Sequence, residues 1–412
     1  MSQPAETITA GGALLARLKV VGVDYILANS GTDFPPIIEG LAEANAKGIA
    51  LPKAIVIPHE HAAMGMAHGY HLATGRAQAV MAHTNVGLAN CAIGAINMAT
   101  EHVPVLLFSG RTPTLEQGRL GADVILVLDC LAPWSPAINK LAPGCKVIQA
   151  GPDPLYSRFP VRNFQADLSL AGETADIIQG LARVMQPHLA TRSGARSVRR
   201  SQVAAKAADI RATTPRAAEK GGEGELMTKA WVSLCLSQAI EGRDATVLSE
   251  LGCPMDPLTL RAAGSWYQEP HSGGLGWSVP TALGMQLAQP DRIIIATMGD
   301  GSYMFANPVA CHQIAEALNL PVLLLVLNNR EWGAVRMSVL GTYPDGYASR
   351  TNQMPLVSLD PTPDFTKVAA ASRAWTARVD APGELPVVLA AAIAHITTTR
   401  TQALVEIQVA PA

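Results

Sequence analysis

Residues 292–302 read Arg-Ile-Ile-Ile-Ala-Thr-Met-Gly-Asp-Gly-Ser, an apolar run of strand length that ends in a Gly-Asp-Gly turn. A helical stretch then reaches Leu320 and is followed by a second apolar run, residues 321–327, which ends at Asn328-Asn329. This order of strand, helix and strand predicts two parallel buried strands whose carboxyl ends lie at one edge of a sheet. Folds of this kind bind their ligands at that edge.

The polar residues at the two strand ends favour a site for a magnesium diphosphate. Asp300 offers a carboxylate and Asn329 offers a side-chain carbonyl, and both are hard oxygen donors of the kind that bind Mg²⁺. The glycines of the first turn let backbone N–H groups face an anion. Considered alone, the stretch could also be an ordinary Asp-Gly turn beside a polar strand end.

The Gly-Asp-Gly and Asn-Asn halves, with 26 residues between them, resemble the metal motif of thiamine-diphosphate-dependent enzymes. The resemblance implies that Asp300 and Asn329 give side-chain oxygens to a Mg²⁺ ion and that Glu331 gives its backbone carbonyl. The resemblance also implies that Asn329 contacts the cofactor. Gly301 and Ser302 would bind the diphosphate through their backbone N–H groups.

A second segment near the N-terminus carries the same resemblance. Residues 59–76 read His-Glu-His-Ala-Ala-Met-Gly-Met-Ala-His-Gly-Tyr-His-Leu-Ala-Thr-Gly-Arg. They are similar to the family's pyrimidine-binding segment, in which a Glu opens a helix at the end of a strand, here residues 54–57. The match implies that Glu60 is the carboxylate that activates the cofactor, because its bond to a pyrimidine ring nitrogen stabilises the tautomer that removes the thiazolium proton. A single Glu at a helix start is otherwise explained by the helix dipole.

A third segment, residues 272–277, reads Ser-Gly-Gly-Leu-Gly-Trp and resembles the family loop that receives the aminopyrimidine. The resemblance implies that the backbone carbonyl of Gly273 accepts a hydrogen bond from the exocyclic amine. Leu275 would be the bulky residue beneath the cofactor that holds it in a bent shape. By residue type alone, the loop could be a Gly-rich turn that enters a helix.

Composition sets the class of protein. The 412 residues, 49% of them hydrophobic, are enough for two or more domains with full cores. The net charge of -2 gives no reason to expect nucleic acid or an anionic membrane as a partner. The six scattered cysteines show no Cys-x-x-Cys spacing and predict reduced thiols in the cytoplasm rather than a disulfide or zinc frame. We find neither a secretory signal at the N-terminus nor an apolar run of membrane-spanning length.

Alternating helix and strand patterns predict an α/β fold of doubly wound, mainly parallel sheets. By resemblance, residues 1–121 form a pyrimidine-binding domain and residues 225–412 form the diphosphate- and Mg-binding domain. Residues 122–190 resemble only the second half of the family's Rossmann-like middle domain. The closing elements of the first domain and the first half of the middle domain would then be missing, which leaves sheet edge and apolar surface exposed. We expect either repacking there or an internally deleted protein of reduced stability and activity.

Residues 191–224 change character, because arginine and lysine alternate there with small and polar residues. The composition predicts a solvated linker with room for one helix. A nucleic-acid-binding arm is the less favoured alternative.

The amino-acid sequences of the motifs most resemble those of acetolactate-synthase-like and benzoylformate-decarboxylase-like members of the family. This resemblance implies a lyase/transferase that decarboxylates a 2-oxo acid and joins the product to a second carbonyl, as a carboligase does. The alternative is a simple 2-oxo acid or oxalyl-CoA-type decarboxylase. His83 follows a predicted strand, where some decarboxylases place an acid–base His, and a near-neutral pKa makes His a natural proton shuttle. A buried, structurally bonded His83 remains open.

Thr32, at the end of the first strand, could bind the substrate carboxylate. Further histidine candidates are His59, His61 and His271.

The resemblance implies thiamine diphosphate and Mg²⁺ as cofactors; some relatives also bind FAD, which nothing in this sequence indicates. The cofactor would sit between domains of different subunits in a homodimer or homotetramer, so that Glu60 of one chain would serve Asp300 of its partner. Two other classes stay open. One is a cofactor-binding but catalytically silent protein. The other is an unrelated nucleotide-binding α/β protein, although the sequence has no Gly-x-x-x-x-Gly-Lys-Ser/Thr loop and no persuasive dinucleotide fingerprint.

Overall fold

The computed structural model describes residues 9–110, 124–130, 133–134, 141–157, 164–189, 193–260, 262–270 and 274–411. The chain divides into two compact units. The first is built from the chain up to Thr112 and from Arg211 onward, and the second runs from Pro113 to Ile210. No helix among the described residues is both long and apolar enough to cross a membrane.

The N-terminal part of the first unit is a parallel sheet with helices on both faces. Its elements are α1 (Ala10–Val20), β1 (Tyr25–Ala28), α2 (Pro35–Lys47), β2 (Lys53–Val56), α3 (Glu60–Thr74), β3 (Gln78–Ala82), α4 (Thr84–Thr100) and β4 (Val105–Ser109). The strands lie in the order β2-β1-β3-β4. Alternate residues of β1 and β3 face opposite sides of the sheet, so that Ile26 packs with α1 and α2 while Leu27 packs with α3 and α4.

The second unit is smaller and less well buried. Its strands are β5 (Val124–Leu128), β6 (Lys146–Gly151) and β7 (Leu168–Ala171), which pair in parallel in that order, and they are followed by α5 (Thr174–Met185). Among the described residues its core is formed by Val127, Trp134 and Val147. The outward face of β5 is apolar and exposed, and α5 buries none of its residues. The prediction that residues 122–190 form a partial middle domain stays a prediction.

A 27-residue helix, α6 (Ser193–Glu219), lies where the sequence predicted a solvated linker with room for one helix. Alanine, arginine and lysine favour helix, which accounts for its length.

The C-terminal part of the first unit is a larger parallel sheet. Its elements are α7 (Lys229–Ala239), β8 (Ala245–Glu250), β9 (Trp266–Gln268), α8 (Ser278–Ala288), β10 (Ile293–Gly299), α9 (Asp300–Phe305), α10 (Pro308–Ala317), β11 (Leu323–Asn328), α11 (Gly333–Thr342), α12 (Tyr347–Thr351), α13 (Phe365–Ala370), β12 (Trp375–Val379), α14 (Leu385–Thr399) and β13 (Ala403–Gln408). Six strands pair in the order β12-β13-β11-β10-β8-β9. Helices α7 and α14 pack on one face, and α8, α10 and α13 pack on the other.

The predicted fold class, α/β with doubly wound parallel sheets, is confirmed. The predicted helix between the two apolar runs is two helices, α9 and α10. They are separated at Asn307, whose φ of +53° breaks the helical path immediately before Pro308. A residue before proline is sterically disfavoured in the right-handed helical region, which explains the break.

The two sheets of the first unit share one apolar core. Ile38 of α2 belongs to the same buried cluster as Trp332, Val339 and Leu356. Polar contacts cross the same boundary: the buried Glu39 carboxylate accepts hydrogen bonds from the backbone N–H groups of Tyr347 at 2.6 Å and Ala348 at 3.2 Å, at the start of α12. Because of this packing, the carboxyl ends of both parallel sheets line one cleft.

Candidate functional site

A cleft of about 210 Å³ lies between the carboxyl ends of the two sheets of the first unit. The N-terminal sheet contributes residues that follow β1 and β3, and the C-terminal sheet contributes residues that follow β8, β10 and β11. The predicted site residues that line this cleft are Thr32, His83, Leu275, Asp300, Gly301, Ser302, Asn329 and Glu331. Glu60 lines a small adjoining cavity, whose walls include His83 and Leu275.

The predicted metal ligands lie together at the ends of β10 and β11. The amide oxygen of Asn329 lies 2.9 Å from the backbone carbonyl oxygen of Glu331 and 3.3 Å from Oδ1 of Asp300. The Asn329 oxygen accepts from the backbone N–H of Glu331 at 3.3 Å, but it is repelled by these two neighbouring oxygens unless a cation lies among them. Turning the Asn329 amide by 180° would let its nitrogen donate to the other two, whereas a hard divalent cation would satisfy all three in the present orientation.

The Asp300 carboxylate is buried in a way that favours a cation. Burial raises its pKa from 3.8 to about 7, although the backbone N–H groups of Gly301 and Arg330 act in the opposite direction. Its Oδ2 atom is buried and has no hydrogen-bond partner among the residues that the structure describes. A buried carboxylate with an unpartnered oxygen is unfavourable until a cation or a proton arrives.

The candidate metal site has only one carboxylate among its donors, so a search for clusters of His, Cys, Asp and Glu does not detect it. Among the described residues, no group of three or more such side chains could hold a metal ion. The set at this site consists of one carboxylate, one side-chain amide and one main-chain carbonyl, which is a combination that Mg²⁺ accepts. The Glu331 carboxylate is instead 3.7 Å from the Arg336 guanidinium.

A close backbone approach marks the turn that follows β10. A Cβ atom at Gly301 would lie 2.2 Å from the indole ring of Trp332, so only glycine fits there. The ring packs against α9, and both Gly301 and Ser302 are buried in its first turn. The backbone N–H of Gly301 already donates to Asp300 Oδ1 at 3.0 Å, which leaves the turn tightly ordered.

Glu60, the predicted cofactor-activating residue, is the first residue of α3 and is 1% exposed. Its two carboxylate oxygens accept from the side-chain amides of Asn29 at 3.0 Å and Asn90 at 3.3 Å. Gly87 is required beside it, since a Cβ there would lie 2.6 Å from Glu60 Oε1. The carboxylate is therefore held in one orientation by neighbours that sequence reasoning did not identify.

The histidine candidates differ in their surroundings. The ring of His59 stacks on Phe305, with centroids 4.9 Å apart, and His61 is exposed on α3. Gly273 and His271 lie outside the described residues.

His83 faces the cleft and has a buried carboxylate behind it. Its Nδ1 lies 2.5 Å from Oδ1 of Asp33, whose side chain is 1% exposed. The ring lies against the backbone of Gly31, where a Cβ would come within 2.0 Å of Nδ1. The sequence predicted Thr32 and His83 at these strand ends but missed Asp33, because the two partners are 50 residues apart. The signal available in the sequence was an acidic residue directly after a strand-end Thr.

Two further charged residues of the cleft were missed. The buried Glu250 carboxylate accepts from the backbone N–H groups of Gly276 at 2.5 Å and Ser278 at 2.8 Å, which fixes the loop that carries Leu275. Burial raises the pKa of Glu250, and these N–H donors oppose that shift. Lys229, at the start of α7, donates to the carbonyl oxygen of Leu251 at 2.6 Å.

A larger cavity of about 400 Å³ lies where β8 begins, at the end opposite to Glu250. Its walls include Gln238, Arg243 and Thr259, and none of the predicted site residues that the structure describes lines it. The cleft at the carboxyl ends of the strands is therefore the candidate site, in keeping with the general position of ligands in open α/β sheets. The individual roles predicted for its residues stay predictions.

Comparisons with known proteins agree with the resemblance noted in the sequence. Residues 8–128 match the model of the thiamine pyrophosphate enzyme N-terminal TPP binding domain, and residues 253–407 match that of the C-terminal TPP binding domain. An acetolactate synthase of Mycobacterium avium is 25% identical over 238 residues, which are 57% of this chain and 36% of that protein. A benzoylformate decarboxylase of Pseudomonas aeruginosa is 37% identical over 79 residues, 19% of this chain and 14% of that protein. In each case the match spans well under half of the relative's length.

Among solved structures, the Rhodococcus jostii RHA1 thiamine diphosphate-dependent 4-hydroxybenzoylformate decarboxylase has a similar fold. The TM-score is 0.51 at 16% sequence identity, over 98% of this chain and 99% of that chain.

Proposed function

This chain belongs to the thiamine pyrophosphate enzyme family, and we propose that it binds thiamine diphosphate together with Mg²⁺ and decarboxylates a 2-oxo acid. The observation that supports this most strongly is the meeting of the Asp300 carboxylate, the Asn329 side-chain amide and the Glu331 main-chain carbonyl, in a cleft whose opposite wall carries His83. A cation there would lie at the edge of the sheet where the fold binds ligands.

The residues of the C-terminal wall fit the metal and the diphosphate. Asp300 and Asn329 would give side-chain oxygens to Mg²⁺, and Glu331 would give its main-chain carbonyl. The unpartnered Oδ2 of Asp300 would gain a positive neighbour. Gly301 and Ser302 would face the diphosphate, since the backbone comes close to the cleft at the glycine that Trp332 packs against.

Glu60 would hold a hydrogen bond to a ring nitrogen of the aminopyrimidine. When bound, thiamine diphosphate would supply a nucleophilic carbon for the 2-oxo carbon and a cationic thiazolium ring that holds the electron pair left behind as carbon dioxide departs. The amides of Asn29 and Asn90 orient the Glu60 carboxylate, and its burial keeps water from competing for the same oxygens. Leu275, in the wall shared by both cavities, would support the cofactor from below.

His83 would deliver the proton that completes decarboxylation to an aldehyde. Its Nδ1 is engaged by Asp33, so Nε2 is the ring nitrogen left for the substrate. A carboxylate on Nδ1 favours the tautomer with its proton there and fixes the orientation of the ring. Thr32, beside the same cleft, is proposed to contact the substrate carboxylate.

Carboligation, which the sequence analysis predicted ahead of simple decarboxylation, is the second candidate. It differs from simple decarboxylation only in the last partner, which is a second carbonyl compound instead of a proton. The similarity to an acetolactate synthase over more than half of this chain favours carboligation, whereas the His83–Asp33 pair favours protonation.

The first experiment is calorimetric titration of the purified protein with thiamine diphosphate, with and without Mg²⁺. We expect magnesium-dependent binding that Asp300→Ala abolishes and that Asp345→Ala, at a site outside the cleft, leaves intact. Pyruvate, benzoylformate and oxalyl-CoA are then supplied, and carbon dioxide, aldehydes and 2-hydroxy ketones are measured. Binding without carbon dioxide release from any 2-oxo acid would instead identify a catalytically silent protein. No binding by the folded protein would refute the proposal.

We further propose a homodimer or homotetramer. Here Glu60 and Asp300 belong to the same compact unit of one chain, whereas the sequence resemblance predicted that two chains share each site. Mixing Glu60→Gln chains with Asp300→Ala chains separates the two arrangements. Recovered activity means that each site draws on two chains, and no recovery in a mixture shown to contain mixed oligomers means that one chain builds the site. The cytoplasmic location predicted from the cysteines stays a prediction.

A further inference from the structure

The cleft is rich in acidic side chains. Four carboxylates line it, from Glu250, Glu269, Asp300 and Glu331. Among the described residues of the lining, Lys229 is the one lysine or arginine. A diphosphate would add negative charge beside these groups, so a cationic side chain would help to bind it together with the Mg²⁺ and the backbone N–H groups of one turn.

Lys229 occupies a position that does not suit a lysine on structural grounds. It is the first residue of α7, at the positive end of the helix dipole, where a cation is unfavourable. Burial lowers its pKa, and the nearby Cys253, Asp300 and Glu269 only partly oppose that shift. A residue that conflicts with both its helix position and its burial is expected at a functional site.

The ammonium group is also held at a defined place. It donates to the carbonyl oxygen of Leu251 at 2.6 Å, and an ammonium has three donors, so further donors remain for a ligand. Leu251 forms a backbone bridge with Met298, two residues before Asp300. The hydrogen bond therefore ties Lys229 to the strand ends that carry the metal ligands.

We propose that the ammonium of Lys229 binds the terminal phosphate of the thiamine diphosphate, beside the Mg²⁺ held by Asp300. This inference rests on the proposed function and adds to it a fixed positive charge that lies outside the sequence motifs of the metal site. Lysine is suited to the role, because it presents a compact point charge to a phosphate oxygen.

The test compares ligands that differ only in phosphate. Calorimetric titrations with thiamine, thiamine monophosphate and thiamine diphosphate, each with Mg²⁺, are made on wild type, Lys229→Met, Lys229→Arg and the control Lys367→Met, whose side chain is 84% exposed. We expect Lys229→Met to weaken thiamine diphosphate binding about 10- to 100-fold and to leave thiamine binding unchanged. Lys229→Arg should retain most of the affinity, and the control should behave as wild type.

Thermal unfolding without ligand distinguishes this role from simple anchoring of the loop at Leu251. Lys229→Met should melt no lower than wild type, because the removal of a half-buried cation from the positive end of a helix offsets the loss of its hydrogen bond to Leu251. Equal weakening of thiamine and thiamine diphosphate, together with a lower melting temperature, would show an anchoring role and overturn the proposal. Unchanged thiamine diphosphate affinity with a raised KM for the 2-oxo acid would assign Lys229 to the substrate and also overturn it. If wild type itself binds no thiamine diphosphate, the proposed function fails first.

Discussion

Replacing Asp300 by asparagine should make the cofactor-free protein more stable while abolishing magnesium-dependent binding. Burial raises the pKa of Asp300 from 3.8 to about 7. The folded protein therefore holds a proton on Asp300 up to about pH 7, whereas the unfolded chain releases it near pH 3.8. Stability contributed by this group falls as the pH rises across that window and levels off above it. An asparagine side chain carries no charge at any pH, so Asp300→Asn removes this loss.

The size of the effect follows from the shift. About three pH units correspond to about 4 kcal/mol between the two protonation states. Urea unfolding of Asp300→Asn without cofactor, in the presence of EDTA, should therefore give a free energy of unfolding about 4 kcal/mol above wild type at pH 8, and a gain of only about 1 to 2 kcal/mol at pH 5. The amide keeps the acceptor for the Gly301 N–H, so the turn should stay intact.

Asp364→Asn is the matched control in the same sheet domain. Hydrogen bonds from Thr366 and Lys367 lower the pKa of Asp364 to about 2. Its contribution to stability is lost only as the pH falls through that value, so the effect of this substitution should be constant between pH 5 and pH 8. The reasoning about Asp300 is refuted if Asp300→Asn is no more stable than wild type at pH 8, or if its gain is the same at pH 5.

Two glycine substitutions test the close contacts of the cleft. Gly31→Ala would place a Cβ 2.0 Å from the ring of His83. We therefore expect calorimetry to show retained cofactor binding, whereas carbon dioxide release should be slower. A normal rate of release would remove His83 from the mechanism. Gly301→Ala would place a Cβ 2.2 Å from Trp332, so cofactor affinity should fall by at least about tenfold, and unchanged affinity would contradict the tight turn. Gly65→Ala, in the middle of α3, is the control for both, because a Cβ there meets nothing within 4 Å among the described residues. Its melting temperature should not fall.

The strands around the Gly-Asp-Gly turn could be predicted because strands buried on both faces of a parallel sheet have continuous apolar sequences. The run that begins at Arg292 gives β10 from Ile293, and the run that begins at Pro321 gives β11 from Leu323. Strand ends at one edge of a sheet bring their residues together, so the proximity of Asp300 and Asn329 could be predicted as well.

Contacts set by three-dimensional packing could not be predicted in this way. Asp33 meets His83 across 50 residues, and the pairing depends on how closely β1 and β3 approach at Gly31. Lys229 was missed because nothing in its local pattern separates it from any other lysine at a helix start. Whether one chain or two build each site does not follow from the residues themselves, because identical residues satisfy both arrangements, and the two-chain site implied by the resemblance stays a prediction.

The core shared by the two sheets has a consequence for how the chain is made. Ser30 donates to the carbonyl oxygen of Leu356 across 326 positions, and Ile38 packs in one cluster with Trp332. At elongation rates of about 5–20 residues per second, the ribosome needs roughly 15–60 s to produce Trp332 after Ile38. The apolar side of α2 therefore stays exposed to solvent until the C-terminal sheet has been synthesised. A nascent N-terminal sheet in that state would be a natural client of chaperones that act on the ribosome, and its yield in cells would depend on the rate of translation as much as on the finished fold.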